Sequence, residues 1–148
     1  MILGSQTSAE NGLASVFDKA QQAGADCLQI FSKPSQRWIA PPLKPDEIDA
    51  FCSARFAAGG PPVLVHDSYL INLASPDPDK LERSIEAYAH ELQRCHQLGL
   101  EDLNMHPGAA TDGRESDGLN RVADALLEAY LLAGDPPVRT IFETTAGQ

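Results

Sequence analysis

Short apolar runs alternate along this chain with longer segments of helical period. Residues 2–5 (ILGS) read as a first strand. Asn11-Gly12 then opens a helix in which Leu13, Val16, Phe17 and Ala20 recur on one face, and Gly24 ends it. CLQIF at 27–31 is a second strand. Residues 32–44 form a polar, proline-containing loop that carries Lys33, Arg37 and Trp38. Pro45-Asp46-Glu47 puts proline in the first turn of a helix and acids at the positive end of its dipole. Ile48, Phe51, Cys52 and Phe56 mark the expected buried stripe of that helix. Gly59-Gly60-Pro61 leads into a third strand, Val63 to Val65. Its unbroken apolar run predicts burial on both faces. The strongest helical signal lies between Pro76 and Gly99, where Leu81, Ile85, Tyr88, Leu92 and Cys95 align and Gly99 closes the helix. Leu103 to His106 is a fourth strand. Pro107-Gly108 turns the chain into a polar loop over 109–117. Leu119, Val122, Leu126 and Leu127 mark a fourth helix, Asp135-Pro136-Pro137 breaks it, and Val138 to Glu143 is a fifth strand.

Strands and helices in strict alternation imply right-handed crossovers and a parallel sheet. The fold class is therefore α/β, and the expected architecture is a partial TIM (β/α) barrel of five parallel strands and four helices. A complete eight-stranded barrel takes about 250 residues, and this chain has 148. The expectation is one domain over residues 1–148, the first five strands of a barrel left open.

In such folds the carboxyl ends of the strands build active sites. His66 ends the third strand, His106 the fourth and Glu143 the fifth. The spacings, 106 − 66 = 40 and 143 − 106 = 37 residues, each fit one strand, loop, helix and return. Two imidazoles and a carboxylate at three successive strand ends form a zinc ligand set. A single histidine at a strand end is more often a hydrogen-bonded structural residue, so the argument rests on the three together. His90 and His96 lie on a charged helix and read as solvated. Asp67 either orients a ligand histidine or caps the following loop. Tyr69 and Leu70 are either core or, on a loop at an active face, a wedge for a substrate. Trp38 beside Arg37 either packs under its loop or stacks on nucleic acid.

Composition narrows the partners. Eleven Lys and Arg against 21 Asp and Glu give a net charge of −10, which argues against a generally basic nucleic-acid surface. A local cationic groove, or a metal centre meeting phosphate, remains open. Three cysteines without CxxC spacing read as reduced thiols of a cytoplasmic protein. No apolar run approaches the ~18 residues of a membrane span. No phosphate loop or dinucleotide fingerprint is present.

HDSYLINL at 66–73, QRCHQLGL at 93–100, LNMHPG at 103–108 and FETTAGQ at 142–148 resemble the endonuclease IV family of apurinic/apyrimidinic endonucleases. The likeness extends upstream to GSQTSAENGL and FSKPSQRW, and so covers essentially the whole chain, read as the N-terminal portion of such a protein. The resemblance implies a zinc-dependent β/α barrel that hydrolyses the backbone of double-stranded DNA 5′ to abasic sites and leaves a 3′-hydroxyl. It implies three zinc ions, with ligands for one of them in this chain: His66, His106 and Glu143. Glu143 would be the catalytic carboxylate shared between two metals. Lys33, Gln36, Arg37 and Trp38 match a DNA-contacting loop, and Tyr69 and Leu70 match residues that enter the DNA at the lesion. Gln6 stands where the family usually has a histidine lining the site, and Gln36 stands where a DNA-penetrating arginine is expected. Two other readings compete: a metal-dependent sugar isomerase or epimerase on a related barrel, and a zinc- or DNA-binding fragment without turnover.

Overall fold

A computed structural model describes residues 1–144. The close of the FETTAGQ motif, 145–148, lies outside the described residues. Strands β1 (Gly4–Gln6), β2 (Cys27–Phe31), β3 (Val63–His66), β4 (Asp102–Met105) and β5 (Arg139–Phe142) pair in parallel, in chain order. Helices α1 (Val16–Gln22), α2 (Pro45–Ala57), α3 (Pro78–Gln97) and α4 (Glu115–Ala133) are the crossovers. Strand order that never reverses, with crossovers of one hand, puts all helices on one face of the sheet. This is the expected partial barrel.

Two-residue periodicity then sorts the side chains. Leu28, Ile30, Val63, Val65, Leu103 and Met105 point to the helices and form the core. Gln29, Leu64 and Asn104 alternate with them. The expectation that β3 is buried on both faces is therefore corrected: Leu64 is half-buried. It borders a hollow of about 730 Å³ with Gln6, Cys27, Gln29 and Asp102.

Other boundaries and stripes moved for local reasons. β1 starts at Gly4 because its register is set by β2, with Gly4 opposite Cys27; Ile2 and Leu3 are exposed. The first helix is a 3₁₀ turn, Leu13–Ser15, running into α1. α2 buries Phe51 against Phe17, ring centroids 5.1 Å apart, whereas Cys52 and Phe56 face outward. On α4 the expected Leu119 and Leu127 are exposed, and Gly118, Val122, Ala125 and Ala129 form the buried stripe. Close packing selects small residues there: a Cβ on Gly118 would lie 2.7 Å from that of Ala110.

α3 is the central helix. Asp77 caps it, its side chain accepting from the amides of Asp79 and Lys80, with Pro78 in the first turn. Gly99 at φ 65° closes it. Tyr88 on α3 is fully buried, and its hydroxyl meets Thr140 Oγ1 of β5 at 2.8 Å. The Tyr130 hydroxyl of α4 reaches the same oxygen at 3.0 Å. Two helices thus hold the strand that delivers Glu143.

Candidate metal centre

The ladder continues past the strand ends and places the three expected ligands. The Asp67 amide donates to the Asn104 carbonyl at 2.9 Å, and the Glu143 amide donates to the Met105 carbonyl at 2.9 Å. His66, the last residue of β3, is buried; His106 follows β4 and Glu143 follows β5, both nearer to solvent. One ligand atom from each lies within 4.8 Å of the other two. His66 Nε2 and Glu143 carboxylate are 3.6 Å apart, and the two imidazole centroids are 5.0 Å apart.

Hydrogen bonds set the same tautomer in both histidines. His66 Nδ1 donates to the Asp67 carbonyl at 2.9 Å, and His106 Nδ1 donates to the Glu143 carbonyl at 3.1 Å. Each Nε2 is left with a free lone pair. The donor set suits a borderline cation such as zinc. Two ligands on a tetrahedral zinc sit roughly 3.4 Å apart, so the His66–Glu143 pair already has a suitable separation. Among the described residues this is the one group of three donors that close.

Burial pulls the His66 pKa down, but the hydrogen bonds and charge of Asp67, with the charge of Glu143, raise it above the usual value. Burial pushes Asp67 up to about 6, partly offset by His66. The Asp67 carboxylate is 3.4 Å from His66 Nδ1, so the backbone carbonyl of the same residue is the nearer acceptor.

Gln6 makes no hydrogen bond to His66, His106 or Glu143. Its Oε1 accepts from Gln29 Nε2 at 3.3 Å, Gln29 Oε1 accepts from Asn104 Nδ2 at 3.4 Å, and Asn104 Nδ2 also donates to Glu143 Oε2. A row of amides thus runs from β1 to the carboxylate. Asn104 and Gln29 were missed in the sequence, although Asn104 sits two residues before His106 and so shares its face.

The loops around the centre divide. Tyr69 is exposed, its ring 5.6 Å from that of His66 and 5.2 Å from that of Phe31. Leu70 is half-buried, and Gln36 and Arg37 are exposed. Trp38 is half-buried beneath the Arg83 guanidinium, 5.0 Å from its ring centroid. Lys33 differs from expectation. Its ammonium is buried against Glu91, both side chains being 1% exposed. A DNA phosphate cannot reach it there, because surrendering Glu91 leaves a buried carboxylate unpaired. His90 is likewise half-buried, not solvated, with no hydrogen-bond partner at Nδ1. Burial and the neighbouring Arg94 lower its pKa.

The pattern of the xylose isomerase-like TIM barrel family matches residues 17–148, and the chain belongs to that family. Within it, the likeness is to the endonuclease 4 proteins. The chain is 43% identical over 145 residues to a Chloroflexus aurantiacus protein named probable endonuclease 4, covering 98% of this chain and 51% of that one. The crystal structure of endonuclease IV from Thermus thermophilus superposes with a TM-score of 0.85 at 33% identity, over 100% of this chain and 53% of that one. The chain thus spans about half the length of the relatives it matches. D-psicose 3-epimerase from Clostridium cellulolyticum, at TM-score 0.69 and 19% identity over 95% of this chain and 51% of that one, shares the fold alone. No helix among the described residues is long and apolar enough to cross a membrane.

Proposed function

We propose that this chain carries part of the active face of a DNA-repair endonuclease: a zinc-dependent phosphodiesterase that cuts double-stranded DNA 5′ to abasic sites. The observation that carries the reading is the convergence of His66, His106 and Glu143, with exposed Tyr69 at its rim. Likeness to proteins named endonuclease 4 over nearly the whole chain supplies the substrate class. A cytoplasmic location accompanies this reading.

The chain's own residues have distinct tasks. His66 and His106 present Nε2 lone pairs, each held in that tautomer by a backbone carbonyl. Glu143 adds a negative oxygen, oriented by Asn104. Zinc held there would supply a water acidic enough to ionise near neutral pH and a positive charge facing the phosphate. An abasic nucleotide must leave the stack to bring its phosphate to this recess, at a cost of a few kcal/mol. Tyr69 and Leu70, at the rim, are placed to fill the gap and offset that cost. Arg37 brings positive charge to an acidic protein on the same side, as phosphate contact requires.

One zinc site is expected in residues 1–144, and the family chemistry draws on neighbouring metals. Incision by this chain alone is therefore expected to be slow. The test is a zinc titration of wild type and His106→Ala, followed by incision of a duplex with one abasic analogue, with chelator controls. Equal zinc binding by both proteins refutes the site. Zinc and DNA binding without incision marks a binding fragment, and chelator-sensitive multiple turnover refutes the expectation of weakness. Activity on ketoses, with none on DNA, transfers the site to the epimerase reading.

A further inference from the structure

A second cluster of charges lies behind the metal centre, and the chemistry above does not use it. Glu91 of α3 accepts from the Lys33 ammonium and, at 2.6 Å, from the Ser32 hydroxyl. Arg94, one turn on, is also buried. Its Nε donates to Ser32 Oγ at 3.0 Å, one terminal nitrogen donates to the Ser32 carbonyl, and the other donates to the Pro41 carbonyl at 3.1 Å. The guanidinium fork therefore joins both ends of the 32–41 segment to one helix.

That segment is tied to the next loop in turn. The Ser35 carbonyl accepts the Tyr69 amide at 3.0 Å and the Ser68 hydroxyl at 2.8 Å. Arg83, also on α3, covers the Trp38 ring. A chain of named contacts thus runs from α3 through the loop of Gln36, Arg37 and Trp38 to Tyr69 at the rim of the metal site. A buried ion pair adds little stability over apolar packing of the same volume, while one that is fully hydrogen-bonded admits few other arrangements.

We infer that Glu91 and Arg94 are positioning residues: from α3 they hold two segments, 32–41 and 68–70, as one preordered surface for a distorted DNA backbone. Preorder matters because a loop ordered only on binding subtracts its ordering cost from affinity. The DNA part of the inference rests on the function proposed above; the ordering of the loops does not.

The chain has one tryptophan, Trp38, so its fluorescence reports the loop directly. Arg94→Lys keeps the positive charge beside Glu91 and gives up the fork. Ser32→Ala keeps both charges and removes the hydroxyl that joins the Glu91 carboxylate to Arg94 Nε. Acrylamide quenching of Trp38 is expected to rise about twofold or more in each variant, since a loosened loop admits the quencher. Zinc affinity is expected to stay within about twofold, because the ligands stand on other elements. Affinity for a duplex with one abasic analogue, read by anisotropy, is expected to fall about tenfold in Arg94→Lys. Unchanged quenching in Arg94→Lys overturns the inference. If that variant does not fold, unchanged quenching in Ser32→Ala overturns it. Raised quenching with unchanged DNA affinity refutes the positioning role. If wild type binds no abasic duplex, the proposed function fails, and the quenching comparison still decides whether α3 orders the loops.

Discussion

Replacing Asn104 with leucine removes one donor at a known place and leaves His66, His106 and Glu143 intact. The Asn104 amide gives a hydrogen bond to Glu143 Oε2, and Asn104 itself is 4% exposed. A hydrogen bond to a charged group contributes about 1.5–3 kcal/mol. Glu143 is at the rim and partly solvated, so the lower end of that range applies, and some of the loss is recovered by water. A change of about 1.4 kcal/mol is tenfold in affinity, and residues that orient a metal ligand typically affect binding by roughly 10- to 100-fold. Asn104→Leu is therefore expected to weaken zinc binding about tenfold. Gln29 loses its contact with Asn104, but it is half-buried and can turn to water. The fold should therefore tolerate the change, and the metal-free melting temperature should move little. The assay is competition against a chromophoric zinc chelator at fixed pH, with a thermal melt as the control for folding. A folded Asn104→Leu protein whose zinc affinity lies within about threefold of wild type contradicts the argument, because the amide would then not orient the carboxylate.

Three further changes probe the scaffold. Thr140→Val strands the fully buried Tyr88 hydroxyl, while the Tyr130 hydroxyl keeps its bond to the Val138 carbonyl, and should cost about 1–3 kcal/mol in denaturant unfolding; no loss would mean that the Tyr88 hydroxyl finds another partner. Gly108→Ala sets a Cβ 2.0 Å from Asn72 Oδ1 at φ 93°, and should destabilise by about 2 kcal/mol or more, with wild-type stability counting against the observed close approach. His90 has a folded pKa below its unfolded value, so the folded protein binds fewer protons and its stability falls as pH drops below about 6.5. His66 and Asp67, both raised on folding, act in the opposite sense, so His90→Gln should shift the slope of the metal-free melting temperature against pH downward between about pH 5 and 7, and an unchanged slope would show that His90 does not contribute.

Local rules read in the chain determined the β/α alternation, the parallel sheet and the glycine that closes α3, because period, proline, glycine and acid placement act within a few residues. The same rules put His66, His106 and Glu143 at successive strand ends, and parallel order with short returns is enough to bring such ends together. Tertiary structure decided what depends on neighbours distant in sequence. Whether an apolar residue is covered depends on the partner helix: α4 buries Ala125 and Ala129, while Leu119 and Leu127 face outward. Whether a charge serves the surface depends on what faces it. Lys33 reads as a DNA contact in one dimension, and Glu91, 58 positions on, makes it an internal ion pair. Asn104 looked like an ordinary strand residue until the ladder set Glu143 against it. Burial and pairing are properties of contacts across the fold, and a chain read in order records only which residues are available to make them.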